Sequence, residues 1–214
     1  MTQDEWRACA NPQAMVHFLG GKASDRKLRL FAVACCRNIW PVLPDKTSRQ
    51  AVTILERIAD GLSYREELPD EYRGEVFIQY LGKPPKHSDA VSAAASWRPV
   101  EAANAAALEA AERMREPSDF FTTYFAKQRE QAGIIRELFG NPFRRLAADP
   151  GWLTPTVVQL ADTIYEHRAF DRLPILADAL EEAGCDNADI LDHCRQPGSH
   201  VRGCWVIDLL TGRQ

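Results

Sequence analysis

The sequence predicts an all-α protein: a bundle-like array of many helices that ends in a compact C-terminal three-helix unit. Three features carry that expectation. Apolar residues recur at three- and four-residue spacing in one segment after another, the mark of helices with one buried face. Capping residues ahead (Ser, Thr, Asp, Asn) and breakers behind (Gly, Pro) bracket those segments. Residues 88–114 are built largely of alanine, which gives up little entropy in a helix.

Asn11-Pro12 opens the first helix, which stops at Gly20-Gly21. Ser24 and Asp25 cap the second, K-L-R-L-F-A-V-A-C-C-R-N-I-W, with Leu28, Phe31, Ala32, Cys35 and Ile39 as its buried stripe. Pro41 and Pro44 end it. A third helix runs from Asp45 or Lys46 to Asp60, turns Ala51, Ile54, Leu55 and Ile58 inward, and stops at Gly61. Between 62 and 86 the pattern is broken by Pro69, Gly74, Gly82 and Pro84-Pro85. Its one apolar run, E-V-F-I-Q-Y-L, fits a short helix and a lone strand equally. Pro99 divides the alanine-rich stretch into two helices or sits in the first turn of the second, and the thin alanine face invites close approach by neighbours. Ser118 or Asp119 caps a long helix to Phe139, with Phe121, Phe125, Ala132, Ile135 and Phe139 along one side. Gly140-Asn141-Pro142 ends it. Thr154-Pro155 then opens a helix carrying Val157, Val158, Ala161, Ile164 and Tyr165.

The stretch 170–210 has the clearest start and stop signals. Asp171 caps a helix with Pro174 in its first turn, and Leu173, Leu176, Ala177 and Leu180 form its apolar face. Gly184 fits the left-handed position just past a helix end. Asp186 caps a short helix from Asn187 to Arg195 that buries Ile190 and Leu191. Pro197, Gly198 and Ser199 break it. The last apolar run, 204–210, puts Trp205, Val206, Leu209 and Leu210 on one side. The expected organisation is an N-terminal helical subdomain (1–61), an irregular connection (62–87) and a helical body (88–214), folding together as one cooperative domain.

Composition narrows the class. With 45% hydrophobic and 26% charged residues and a net charge of −4, the chain is an ordinary globular one. A negative balance argues against general affinity for nucleic acid or anionic membrane. No apolar run reaches the ~20 residues that span a bilayer. The start, M-T-Q-D-E-W-R, lacks a secretory signal pattern, so the expected location is the cytoplasm and the six cysteines are expected to be thiols.

Three stretches, A-S-D-R-K-L-R-L-F-A-V-A-C-C-R at 23–37, F-G-N-P-F-R at 139–144 and the whole of 170–210, together resemble a family of helical bacterial paralogues abundant in planctomycetes. The resemblance runs from Glu5-Trp6 to the end and is weakest over 62–116. It implies one evolutionary unit, often attached to other domains, and no activity or catalytic residue comes with it.

Candidate chemistry centres on Cys185, His193, Cys194, His200 and Cys204, because zinc takes four thiolate or imidazole donors in a tetrahedron. Spacing counts against the set: there is no C-x-x-C or H-x-x-x-H pair, and His193 and Cys194 point about 100° apart on a helix. The plain alternative makes Cys185 and Cys194 core residues and His193 and His200 surface or capping residues. Cys35-Cys36 is too strained as a vicinal disulfide, and on a helix one of the two should face the core and the other not. A thiol activated by histidine would need Cys36, Cys194 or Cys204 to meet His17, His193 or His200 across the fold. The carboxylates Glu66-Glu67, Asp70-Glu71, Glu181-Glu182 and Asp162 with Glu166 read as solvated faces.

The function these residues suggest first is a cytoplasmic helical protein–protein interaction or scaffold module without catalysis, with an undefined protein partner, no membrane and no cofactor. A metal-binding or thiol-dependent enzyme built on the C-terminal Cys/His group, with zinc as its metal, is the rival. A second rival is a nucleic-acid-binding accessory protein using Arg26, Lys27, Arg29 and Arg37 on the second helix. The sequence does not fix the oligomeric state.

Overall fold

A computed structural model describes residues 1–43, 45–73, 89–96, 98–113, 120–144 and 146–213. Every regular element among them is helical, so the expected fold class holds. The 75–81 segment, which fits helix and strand equally, lies outside the described residues, and so does the side chain of Phe121. Among the described residues no helix is long and apolar enough to cross a membrane. The chain divides into two compact units, Met1–Ile135 and Arg136–Gln214.

The first unit begins with α1 (Gln3–Ala8), which the apolar pattern did not announce. It forms because Thr2 and Glu5 cap each other's backbone amides in a capping box, and it is anchored by buried Trp6. Next come α2 (Pro12–Leu19), capped by Asn11, and α3 (Asp25–Asn38), capped by Ser24. Then follow α4 (Lys46–Ala59), capped by Asp45, and the short α5 (Asp70–Arg73). The alanine-rich stretch gives α6 (Asp89–Ala94) and α7 (Pro99–Arg113), with Pro99 opening the second as expected. The long α8 (Phe120–Phe139) follows, its last turn lying in the second unit.

Helix α3 is the centre of this unit, packed by α4, α6 and α7. Ala102, Ala103, Ala106, Ala107, Ala110 and Ala111 are all buried, and their small side chains allow that close approach. Being surrounded, α3 buries more than one stripe: Leu30, Val33, Ala34 and both Cys35 and Cys36 are inside. The expectation that one of the two cysteines faces away is therefore corrected; the Cys36 thiol donates to the Ala90 carbonyl of α6 at 3.3 Å. The 1–61 segment packs with α6 and α7 within the first unit. On α8 the inward stripe is Ala132, Ile134, Ile135 and Leu138, whereas Phe125 is 52% exposed.

The second unit holds the end of α8, then α9 (Pro155–His167), α10 (Leu173–Glu182), α11 (Ala188–Arg195) and α12 (Trp205–Thr211). Thr154 caps α9, and Asn187, not Asp186, caps α11 through the Ile190 amide. Asp171 lies in a 3-10 turn, Phe170–Arg172, and α10 starts behind it without a side-chain cap. Val157, Ile164, Leu173, Leu176, Leu180, Ile190, Val206, Ile207 and Leu210 form one core in which α9 packs against α10 and α12. On α12 it is Ile207 and Asp208 that go inside with Val206 and Leu210, while Trp205 and Leu209 are only partly covered.

Candidate metal centre

Four side chains of the second unit converge inside it: Glu137 from the last turn of α8, His193 from α11, His200 from the α11–α12 connection, and Cys204 at the N-cap of α12. Local chemistry places each. Gly140, at φ 58°, ends α8 three residues after Glu137, and the Gly140 amide donates back to the Arg136 carbonyl. Pro197 and Gly198 stop α11, so the chain turns and brings His200 back over His193; the two rings meet edge to face at 5.2 Å. The connection is pinned by Arg202, which lies over the Tyr165 ring at 4.5 Å and pairs with Glu166 on α9. Arg144 holds the start of α11 through Asp189 at 2.6 Å.

One ligand-type atom from each of the four lies within 4.8 Å of the other three. His193 Nε2 is 3.2 Å from Cys204 Sγ and 3.3 Å from Glu137 Oε2; His200 Nδ1 is 2.9 Å from Glu137 Oε1. Zinc–ligand bonds of 2.0–2.3 Å at tetrahedral angles put donor atoms about 3.3–3.6 Å apart, the spacing the His193 contacts already have. The side chains are nearly sealed: those of Glu137 and His193 are 6% and 8% exposed.

The electrostatics follow from burial and hydrogen bonding. Burial alone would push the Glu137 carboxyl up, but hydrogen bonds to His193 and His200, aided by their charge, pull it down to about 2. Burial disfavours a charged His200, yet its bond and attraction to Glu137 outweigh that and raise it, and the Gln196 carbonyl accepts from the ring as well. The Cys204 thiol is pushed well up, by burial first and then by the Glu137 charge. The Val206 and Ile207 amides work against this by donating to its sulfur. With the thiol ionised and both imidazoles neutral, the four donors carry two negative charges, which a divalent cation balances.

Of the five residues singled out in the sequence, His193, His200 and Cys204 meet here and Cys185 and Cys194 do not take part. The 100° between His193 and Cys194 explains the division: one points into the polar cluster, the other into the apolar core. The surface or capping role considered for the two histidines is corrected, since both side chains are inside. Glu137 was missed. It sits 56 residues before His193 with no flanking signal, and only its place beside buried Leu138 on α8 hints at an interior carboxylate.

Elsewhere the cationic residues of α3 are engaged within the first unit. Arg26 pairs with Asp60 at 2.9 Å, Arg37 forks onto buried Glu56, and Arg29 donates to the Ser96 carbonyl past the end of α6. No protein-family model, curated protein or solved structure matches the chain.

Proposed function

We propose that the chain is a non-catalytic helical module whose C-terminal unit is fixed by one divalent metal ion, zinc by its donor chemistry. Glu137, His193, His200 and Cys204 hold it. The observation that carries this reading is the convergence of a thiol, a carboxylate and two imidazoles within 4.8 Å in the interior. A thiolate favours zinc over magnesium or calcium, and imidazole suits it too. Four protein donors fill a tetrahedron, whereas a catalytic zinc keeps one position for water or substrate. A structural role follows, with the metal tying the end of α8 to the continuous stretch of α11, its connection and the start of α12.

Thiol catalysis has less support. Burial pushes Cys36 and Cys194 up to about 12 and Cys204, which meets His193, well up, and this disfavours all three as nucleophiles at neutral pH. Nucleic-acid binding through α3 is disfavoured by the internal pairing of Arg26, Arg29 and Arg37. A protein partner and a cytoplasmic setting remain part of the proposal, as does membership of the helical bacterial family that 23–37, 139–144 and 170–210 resemble.

The test is elemental analysis of the purified chain, followed by zinc titration after chelation. About one zinc per chain is expected, with uptake abolished in Cys204→Ser and His200→Ala and kept in Cys185→Ser. At zinc 1,000-fold above Kd the unit should gain about 4 kcal/mol. A chain that takes up no zinc, and melts identically with and without it, sinks the proposal.

A further inference from the structure

Two donors aim at one atom of the site. Trp205 Nε1 lies 3.1 Å from His193 Nδ1, and Gln196 Nε2 lies 3.1 Å from the same nitrogen. An indole N–H can only donate, so Nδ1 in this arrangement carries no proton. The single proton of the neutral ring is then on Nε2, facing Glu137 Oε2 and Cys204 Sγ. Turning the ring over would put carbon atoms against all four partners, so the contacts themselves fix its orientation.

Metal binding reverses that requirement. An ion on Nε2 of a neutral imidazole leaves the ring proton on Nδ1, and a protonated Nδ1 donates and cannot accept. The two partners respond differently. The Gln196 amide can turn about its last torsion and offer its oxygen to Nδ1–H, becoming the outer hydrogen bond that metal-binding histidines usually have. Trp205 has no acceptor to offer. Its N–H must leave.

Resting on the metal reading above, we propose that metal occupancy is coupled to Trp205: binding moves the His193 proton from Nε2 to Nδ1, turns Gln196 into a supporting acceptor and releases the Trp205 indole N–H. No proton is gained or lost by the His193 ring in this step; the protons given up to solvent come from the Cys204 thiol and from the ligating nitrogen of His200. Release has a structural consequence, because Trp205 is the first residue of α12 and its ring packs over Gly140, just past Glu137. A Cβ on Gly140 would lie 3.1 Å from Trp205 Cγ, so the ring rests close against the Gly140 backbone, and the released indole moves toward its uncovered side. Trp205 is only partly covered and has room to do so. The metal state of the interior is thereby written onto a side chain at the surface.

The two neighbours of Nδ1, alike in distance, should have opposite effects on affinity. Trp205→Phe removes a donor that binding must break, so zinc should bind about threefold to tenfold tighter, the worth of one neutral hydrogen bond. Gln196→Ala removes the supporting acceptor, so zinc should bind about tenfold or more weakly. The experiment is competition titration of the full chain with zinc for both variants, together with histidine 15N and tryptophan indole NMR on the unaltered protein before and after zinc. Expected are a His193 Nδ1 that becomes protonated on binding and a Trp205 Nε1–H that shifts toward its solvent-exposed position. The NMR measurement stands even where a variant folds poorly. Zinc binding with Nδ1 still bare and the Trp205 signal unmoved overturns the coupling and leaves the metal reading intact. So does a Trp205→Phe protein that folds normally and binds zinc equally or more weakly. No zinc uptake by the unaltered chain overturns both.

Discussion

Replacing Glu137 by Gln should destabilise the second unit by about 3 kcal/mol at neutral pH in chelated protein. The figure comes from the carboxyl itself. Its pKa falls from 4.5 to about 2 in the folded chain. That displacement corresponds to roughly 3 kcal/mol favouring the ionised, folded state. The raised pKa of His200 is the same attraction seen from the other partner and is counted once. Gln keeps the shape of the side chain, so no cavity adds to the loss. The sign is fixed by linkage. A depressed carboxyl contributes stability in full above its unfolded pKa and loses it as pH falls through the folded value. The difference between the two proteins should therefore shrink to about 1.4 kcal/mol at pH 3 and approach zero near pH 2. Hydrogen exchange of the α11 and α12 amides against urea, from pH 7 down to pH 3, reads this locally without assuming that the whole chain unfolds at once. Equal stability at pH 7, or a constant difference across that range, would refute the reasoning.

Further outcomes are expected. Gly140→Ala should cost about 2 kcal/mol, since φ 58° disfavours a side chain and the added carbon meets the Trp205 ring at 3.1 Å; a thermal melt unchanged within 1 °C would contradict this. Cys35 and Cys36 should both resist a bulky thiol reagent in native protein at pH 8 and react on unfolding, because burial pushes Cys36 to about 12 and Cys35 well up. Fast native labelling of either would show that α3 is less enclosed than its packing indicates.

The helices were legible in the sequence wherever a local signal made them. Asn11-Pro12, Ser24, Asp45 and Thr154-Pro155 start helices because a side-chain oxygen or a ring acts within one turn of its own position. Gly184 ends one because its backbone turns left-handed there. Local signals failed where two candidates were adjacent, as with Asp186 and Asn187, or where no apolar stripe was needed, as in the capping box of α1. Periodicity also understated α3. A stripe records one buried face, and a helix packed by three others buries more of its surface than that.

Of the four converging side chains, the sequence by itself offered three as candidates, His193, His200 and Cys204, because they lie in one short, strongly punctuated stretch. It offered Cys185 and Cys194 on equal terms. Only the tertiary structure separated them, since which side of α11 meets the core depends on α9, α10 and α12 arriving around it. Only the tertiary structure supplied Glu137, the carboxylate that joins the thiol and two imidazoles of the proposed metal site. Spacing rules reach as far as one helix or one turn. A ligand brought from the end of α8 to residues more than fifty positions later is fixed by packing, and packing is not written in any local pattern.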